Sequence, residues 1–232
     1  YTAGISKNKI IVFPQGYDPN KFDNPYQKNK NEIDRDIDLL YVGKYVNEYE
    51  NYHYFRRKNY AQAIEILNEI SKGGKKVFIL GNNWDSYKGF LHPEIIIKNP
   101  NHKYYPDFYK RSKILISTSI YEGGPVSWLE GMASGCYSIS YPTGFAKDAN
   151  IPNIGNCLLP INSDNKFVVN LVIEKINNYT PLTKNQIDKR SEIIFNSRLE
   201  ELCRIFVLIN NSSPERRMNW IKSNQKTNMS FF

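Results

Sequence analysis

The chain alternates short runs of β-branched and aromatic residues with stretches whose apolar positions recur at helical spacing. Lys9-Ile10-Ile11-Val12-Phe13, closed by Pro14-Gln15-Gly16, predicts a strand ending in a turn. Polar, Asn- and Lys-rich residues 18–35 predict a surface connection, and Asp38 to Val42 reads as a second strand stopped by Gly43. Residues 45–58 form an aromatic and charged insertion, read most simply as a packed loop or an interface with protein outside this chain. A helix follows in which Ala61, Ile64, Leu67 and Ile70 recur at three-residue steps, and Gly73-Gly74 ends it.

The alternation continues with strands predicted over 76–80, 94–97, 114–117 and 137–140. Between them lie a brief helix over 106–111 and a longer one over 125–134, with Pro125 near its first position, where a missing N–H costs nothing. Beyond Cys157-Leu158-Leu159-Pro160 the pattern is helical, over 165–178, over 183–210, and in a basic tail from Pro214. Strands and helices in alternation, joined at Gly- and Pro-marked turns, specify an α/β fold with a mainly parallel sheet and helices on both faces. Sheets of this kind bind ligands beyond the carboxyl ends of their strands.

Composition narrows the picture. With 232 residues, 41% of them hydrophobic, the chain can bury one full core, which excludes disorder throughout. No run approaches the ~18 apolar residues of a membrane span, and the first residues lack the pattern of a secretory signal. The start at Tyr1, almost directly on a strand, suggests a piece of something longer. Cys136, Cys157 and Cys203 are far apart and form no C-x-x-C pair, so neither a disulfide framework nor a zinc site is indicated, and a reducing cytoplasm is the default. His53, His92 and His102 read as surface or structural residues, and no metal is expected. Lys and Arg number 31 against 23 Asp and Glu, a formal charge of +8. That charge admits nucleic acid, an anionic membrane or an acidic small ligand as partner, yet the basic residues are scattered, so general composition is the preferred cause and nucleic acid is not expected.

The stretch from Ser117 to Gly135 carries the chemistry. Directly after a strand it places Glu122, then Gly123 and Gly124, then a helix opening at Pro125 and Val126. Without Cβ atoms the glycines let a ligand approach the backbone, and the helix start offers unpaired N–H groups and a positive dipole end, a geometry suited to phosphate. Glu130 follows about one and a half turns into the helix, roughly 7–8 Å along its axis at ~1.5 Å per residue, so the two carboxylates can address opposite ends of one extended ligand. A carboxylate accepts two hydroxyl hydrogen bonds at once and suits a vicinal diol. Lys44, after Gly43, and Arg56, Arg57 and Lys58, before the first long helix, can balance a phosphate from other strand ends.

These residues resemble the carboxyl-terminal half of GT-B glycosyltransferases, specifically the retaining group called GT4. Glu122 and Glu130 match its Glu-x7-Glu signature, and Leu129-Glu130-Gly131-Met132-Ala133-Ser134-Gly135 is similar to its "LEAMA-x-G" helix. Val12 to Asp18 resembles the hinge "V-I-P-N-G-V-D", Leu40-Tyr41-Val42-Gly43-Lys44 resembles "L-Y-V-G-R", Phe108-Tyr109 with Ser112 resembles "LY..AD", and Gly155 to Pro160 resembles "N-G-L-L-V". Lys44 stands where the family has Arg, and Tyr137 where it has Pro.

The resemblance implies a Rossmann-like domain over 9–180 that binds a UDP- or GDP-linked sugar without a metal. Residues 1–25 would form the hinge after an N-terminal acceptor domain outside this chain, and 181–232 carboxyl-terminal helices, with Pro214 to Gln225 crossing back. It also implies roles. Glu130 holds ribose hydroxyls, Glu122 and the backbone from Gly123 through Gly124 and Pro125 to Val126 hold the sugar, and Lys44 and Lys58 neutralise the diphosphate. Arg57 or Arg56 can substitute for Lys58, and Gly43 belongs to the donor site; apart from the resemblance, Tyr104 and Tyr105 near a strand end read as packed or interface aromatics or as residues to stack on the base. The acceptor would be a glycan, a lipid-linked molecule or a protein, in the cytoplasm; apart from the resemblance, Arg216-Arg217 reads as a solvated helix face, with peripheral contact at the inner membrane face as the alternative. An epimerase or phosphorylase on the same frame, a non-catalytic sugar-nucleotide-binding module and a nucleic-acid-binding domain are the alternatives.

Overall fold

A computed structural model describes residues 19–22, 34–124, 126–146 and 155–182, together with the isolated positions 186, 207 and 215. The strand expected at 9–13, most of the hinge, and the helices expected beyond 183 lie outside the described residues.

The elements, in chain order, are α1 (Pro19–Phe22), β1 (Ile37–Val42), α2 (Tyr52–Lys58), α3 (Tyr60–Lys72), β2 (Val77–Leu80), β3 (Ile96–Lys98), α4 (Tyr105–Arg111), β4 (Ser112–Ser117), α5 (Val126–Ala133), β5 (Tyr137–Ser140), β6 (Asn156–Leu158) and α6 (Asn165–Asn177). The strands form one six-stranded sheet in the order β3-β2-β1-β4-β5-β6. Every pairing is parallel, with Leu40 opposite both Phe78 and Leu115. The direction of strand addition reverses between β1 and β4, which leaves a crevice at their carboxyl ends.

Period-two alternation sends neighbouring strand residues to opposite faces. Leu39, Tyr41, Ile114 and Ile116 join one buried cluster with Ile66, Leu67 and Ile70 of α3 and Val168, Val172 and Ile176 of α6. Leu40 and Leu115 join the other, with Tyr109 of α4 and Trp128, Leu129 and Met132 of α5. Both faces are therefore covered, as a parallel sheet requires.

Three local expectations change. The insertion over 45–58 is not simply a loop, because residues 52–58 form α2: Asn51 caps its start by accepting the Tyr54 N–H at 2.9 Å, and Asn59 ends it at φ 52. Tyr45 does pack, against Tyr60, Trp84 and Tyr87. The strand expected at 94–97 begins two residues later, since the Ile95 N–H closes a turn on the His92 carbonyl at 3.0 Å. Arg35, placed in the surface connection, is buried at 8% exposure. Its guanidinium donates to the carbonyls of Tyr109, Ser112 and Ser134, tying the ends of α4 and α5 together. Among the described residues no helix is long and apolar enough to cross a membrane.

Candidate functional site

The loop after β4 and the insertion helix meet at the crevice. The Thr118 hydroxyl donates to the Lys58 carbonyl at 2.9 Å, and the Ile120 N–H donates to the Arg57 carbonyl at 2.9 Å. These bonds fix the backbone of 57–58 beside Glu122. The Lys58 ammonium pairs with Glu122 Oε1, and Arg57 Nη1 stands 3.7 Å from Glu122 Oε2. The Tyr54 ring lies behind both cations, 4.7 Å from the Arg57 guanidinium and 5.8 Å from Lys58 Nζ. On the other side, the Glu122 N–H donates to Thr143 Oγ1 at 2.7 Å. Gly144 adopts φ +54, and a Cβ there would fall 2.6 Å from the carbonyl oxygens of both Glu122 and Gly123, so the turn after β5 is pressed against the Glu122 loop. A cavity of about 620 Å³ opens here, its walls including Arg57, Glu122, Gly123, Thr143, Gly144 and Asn162. A Cβ on Gly123 would meet nothing within 4 Å, so packing does not demand glycine there and the space beside it is open.

Across the crevice, Gly43 and Lys44 follow β1. The Gly43 carbonyl accepts from the Trp84 indole N–H at 2.7 Å, and Gly81 passes so close that a Cβ on it would lie 2.2 Å from that oxygen. The Tyr60 hydroxyl donates to the Lys44 carbonyl. The backbone at this strand end is thus pinned while Lys44 itself is exposed, and it does not line the cavity.

Glu130 occupies a different setting. Alone it reads as an exposed helix residue, yet it is only 8% exposed, and its Oε2 accepts from the Tyr109 hydroxyl at 3.0 Å. Burial pushes its pKa up to about 7, against the Tyr109 hydrogen bond and the nearby charge of Lys21. The next residue explains the depth. A Cβ on Gly131 would strike the Leu115 side chain at 2.3 Å, so α5 lies flush against β4.

The remaining sequence-derived residues are dispersed. Pro125 lies outside the described residues, and Val126 opens α5 with its N–H already given to the Gly124 carbonyl at 2.9 Å. Tyr104 sits in a 3₁₀ turn, half-exposed, with Lys103 Nζ 4.9 Å from its ring, and it does not line this cavity. Arg56 stacks on Tyr52 at 5.9 Å and faces a second cavity of about 680 Å³. His92 bonds the Ser71 hydroxyl at 2.9 Å, a structural contact. Among the described residues no group of three or more His, Cys, Asp or Glu side chains could hold a metal ion.

Residues 24–194 match the family described as glycosyl transferases group 1. The chain belongs to that family. Curated protein sequences give no match to it. Among solved structures, the sucrose-phosphate synthase from Thermosynechococcus elongatus superposes with a TM-score of 0.68 at 15% identity, covering 88% of this chain and 53% of that one. A glycosyltransferase from Rickettsia africae ESF-5 gives 0.65 at 18% identity, covering 90% and 59%. The pneumococcal O-GlcNAc transferase, solved with UDP and GlcNAc, gives 0.62 at 12% identity, covering 88% and 40%. The chain therefore spans about half the length of these proteins, and the shared part is a Rossmann-like half of the GT-B fold. As a group 1 member it is a glycosyltransferase-like donor-binding domain of GT-B type.

Two residues of this group 1 domain have roles in the site that the sequence alone does not assign. Thr143 holds the Glu122 loop, and Tyr54 backs the two cations. Thr143 was findable, since Tyr141 to Gly144 directly follow a strand and reach its carboxyl end. Tyr54 is one of several aromatic residues in the insertion, and the helix bounded by Asn51 and Asn59 is what sets it behind Arg57 and Lys58.

Proposed function

We propose that the chain is the donor-binding half of a retaining, GT4-like glycosyltransferase of polysaccharide or glycoconjugate biosynthesis. It takes a UDP- or GDP-linked sugar and works with an N-terminal domain that holds a glycan, lipid-linked or protein acceptor. The observation that carries this reading is the gathering of Arg57, Lys58 and Glu122 at the crevice between β1 and β4, with the open backbone of Gly123 beside them.

In this reading Glu122 and the backbone from Gly123 to Val126 hold the sugar, Lys44 and Lys58 face the diphosphate beside the Gly43 turn, and Glu130 accepts ribose hydroxyls next to Tyr109. As the glycosidic bond breaks, charge builds on the β-phosphate, and ammonium groups already in place stabilise it without reorganising. Losing one well-placed donor of this kind costs ~10²–10³ in rate. The UDP in the pneumococcal transferase supports a nucleoside diphosphate as the ligand class.

Calorimetric titration of UDP, GDP and ADP into the 232-residue chain tests the reading. One nucleotide is expected to bind. Lys58→Ala should weaken the diphosphate about tenfold or more and leave the nucleoside nearly unchanged, whereas Glu130→Ala should weaken both together. Full affinity for the diphosphate in Lys58→Ala would remove the phosphate assignment.

A further inference from the structure

We infer that the sugar of the donor carries a carboxylate, as a uronic acid does, and that Arg57 recognises it. This rests on the donor-binding reading and specifies the substrate class of the same site.

The inference comes from a surplus of positive charge in the cavity. Glu122 faces two cations, and Lys58 already forms a hydrogen-bonded pair with one of its oxygens. Arg57 stands 3.7 Å from the other oxygen, beyond hydrogen-bond distance, and among the described residues its guanidinium donates to no acceptor. A guanidinium has five N–H donors in a planar fork that matches a carboxylate two bonds at a time. Here that fork is held in readiness. The Tyr54 ring supports its face at 4.7 Å, the bond from Ile120 fixes its backbone, and the side chain is 38% exposed toward open space.

Location separates this cation from the diphosphate. The cavity wall runs from Arg57 through Glu122 and Gly123 to Thr143 and Gly144, the side assigned to the sugar, and neither Lys44 nor Lys58, assigned to the diphosphate, lines it. A neutral hexose would bury the Arg57 fork against hydroxyls and leave its charge uncompensated. A carboxylate on the sugar meets it with two charge-assisted bonds, while Lys58 offsets repulsion from Glu122.

Calorimetry with two matched pairs, UDP-glucose against UDP-glucuronate and GDP-mannose against GDP-mannuronate, tests this on the 232-residue chain and on Arg57→Gln. In the pair whose nucleotide binds, the uronate is expected to bind about tenfold more tightly than the neutral sugar. Arg57→Gln should erase that preference while UDP or GDP alone binds within about twofold of wild type, and Arg57→Lys should restore only part of it. Equal binding of uronate and neutral sugar by the wild type overturns the inference. So does a loss in Arg57→Gln that is the same for the bare nucleotide, which would place Arg57 on the diphosphate. Binding of neither nucleotide overturns the donor-binding reading itself, and this inference with it.

Discussion

Replacing Glu130 by Gln is expected to stabilise the fold at alkaline pH. The carboxyl is 8% exposed, and burial lifts its pKa from an ordinary 4.5 to about 7. A raised value means that the folded chain holds the proton more tightly than the unfolded chain does. The stabilising contribution is therefore complete below 4.5 and lost as pH rises through about 7. At ~1.36 kcal/mol per pH decade, the interval from 4.5 to about 7 corresponds to about 3 kcal/mol. Gln keeps the shape and an acceptor for the Tyr109 hydroxyl but cannot ionise, so it escapes that loss. Urea unfolding of wild type and variant at about pH 5 and about pH 8 reads the difference directly, and the advantage of Gln should grow by about 2–3 kcal/mol between the two. Parallel stability curves across that range would refute the reasoning, because they would place the carboxyl at an ordinary, solvated value.

If Glu130 takes the ribose as proposed, nucleotide affinity should strengthen as pH rises through about 7, because ribose hydroxyls would favour its charged form, and calorimetry on Glu130→Gln should show a flat profile. Gly144→Ala forces a Cβ to within 2.6 Å of two carbonyl oxygens at φ +54, so a loss of about 1–3 kcal/mol in thermal unfolding is expected, with sugar-nucleotide affinity falling more than that of the bare nucleotide. An unchanged melt would disprove the close approach. Arg35→Met strands the carbonyls of Tyr109, Ser112 and Ser134 in the interior, and urea titration should show a cost of about 3 kcal/mol or more. The Arg111 guanidinium, with Lys76 assisting, holds the Asp36 carboxyl well below the usual carboxylate range, so its stabilising contribution is present above 3.8 and lost as pH falls below it. Solvent screening limits that contribution to about 1 kcal/mol, and Asp36→Asn should match wild type only in strong acid.

Five of the six strands were legible as apolar runs, most of them with a Gly- or Pro-marked stop close behind, whereas β6 (Asn156–Leu158) is too short and too polar to read as a strand. Tyr137–Ser140 came out with the expected bounds, and Asp38 to Val42 missed only Ile37. The insertion was harder. Its aromatic residues obscure helical periodicity, and the helix Tyr52–Lys58 has no buried residue, so it depends on its Asn caps and on bonds from the Thr118 hydroxyl and the Ile120 N–H to its last carbonyls. Those bonds join residues some sixty positions apart, and no local pattern encodes them. The Glu122 and Glu130 spacing was visible, but the burial of Glu130 was not, because it follows from the contact between Gly131 and Leu115 across two elements. Arg35 was misread for a related reason: its carbonyl partners lie at helix ends that only the assembled fold brings together.

The two carboxylates of the site are compensated differently. Glu122 is compensated from within the chain, by Lys58 on one oxygen and Arg57 near the other. Glu130 has a tyrosine hydroxyl and a more distant lysine, and in its charged form it costs the fold about 3 kcal/mol, a penalty that a neutral amide would avoid. Packing alone gives no reason for an ionisable group at that position. A ligand that donates two hydroxyls does, since it supplies the hydrogen bonds that the interior withholds and shifts the carboxyl toward its charged form. Under the proposed reading the ribose is that ligand. One end of the donor is then met by charge the protein has already balanced, and the other by a carboxylate whose charge the ligand itself completes.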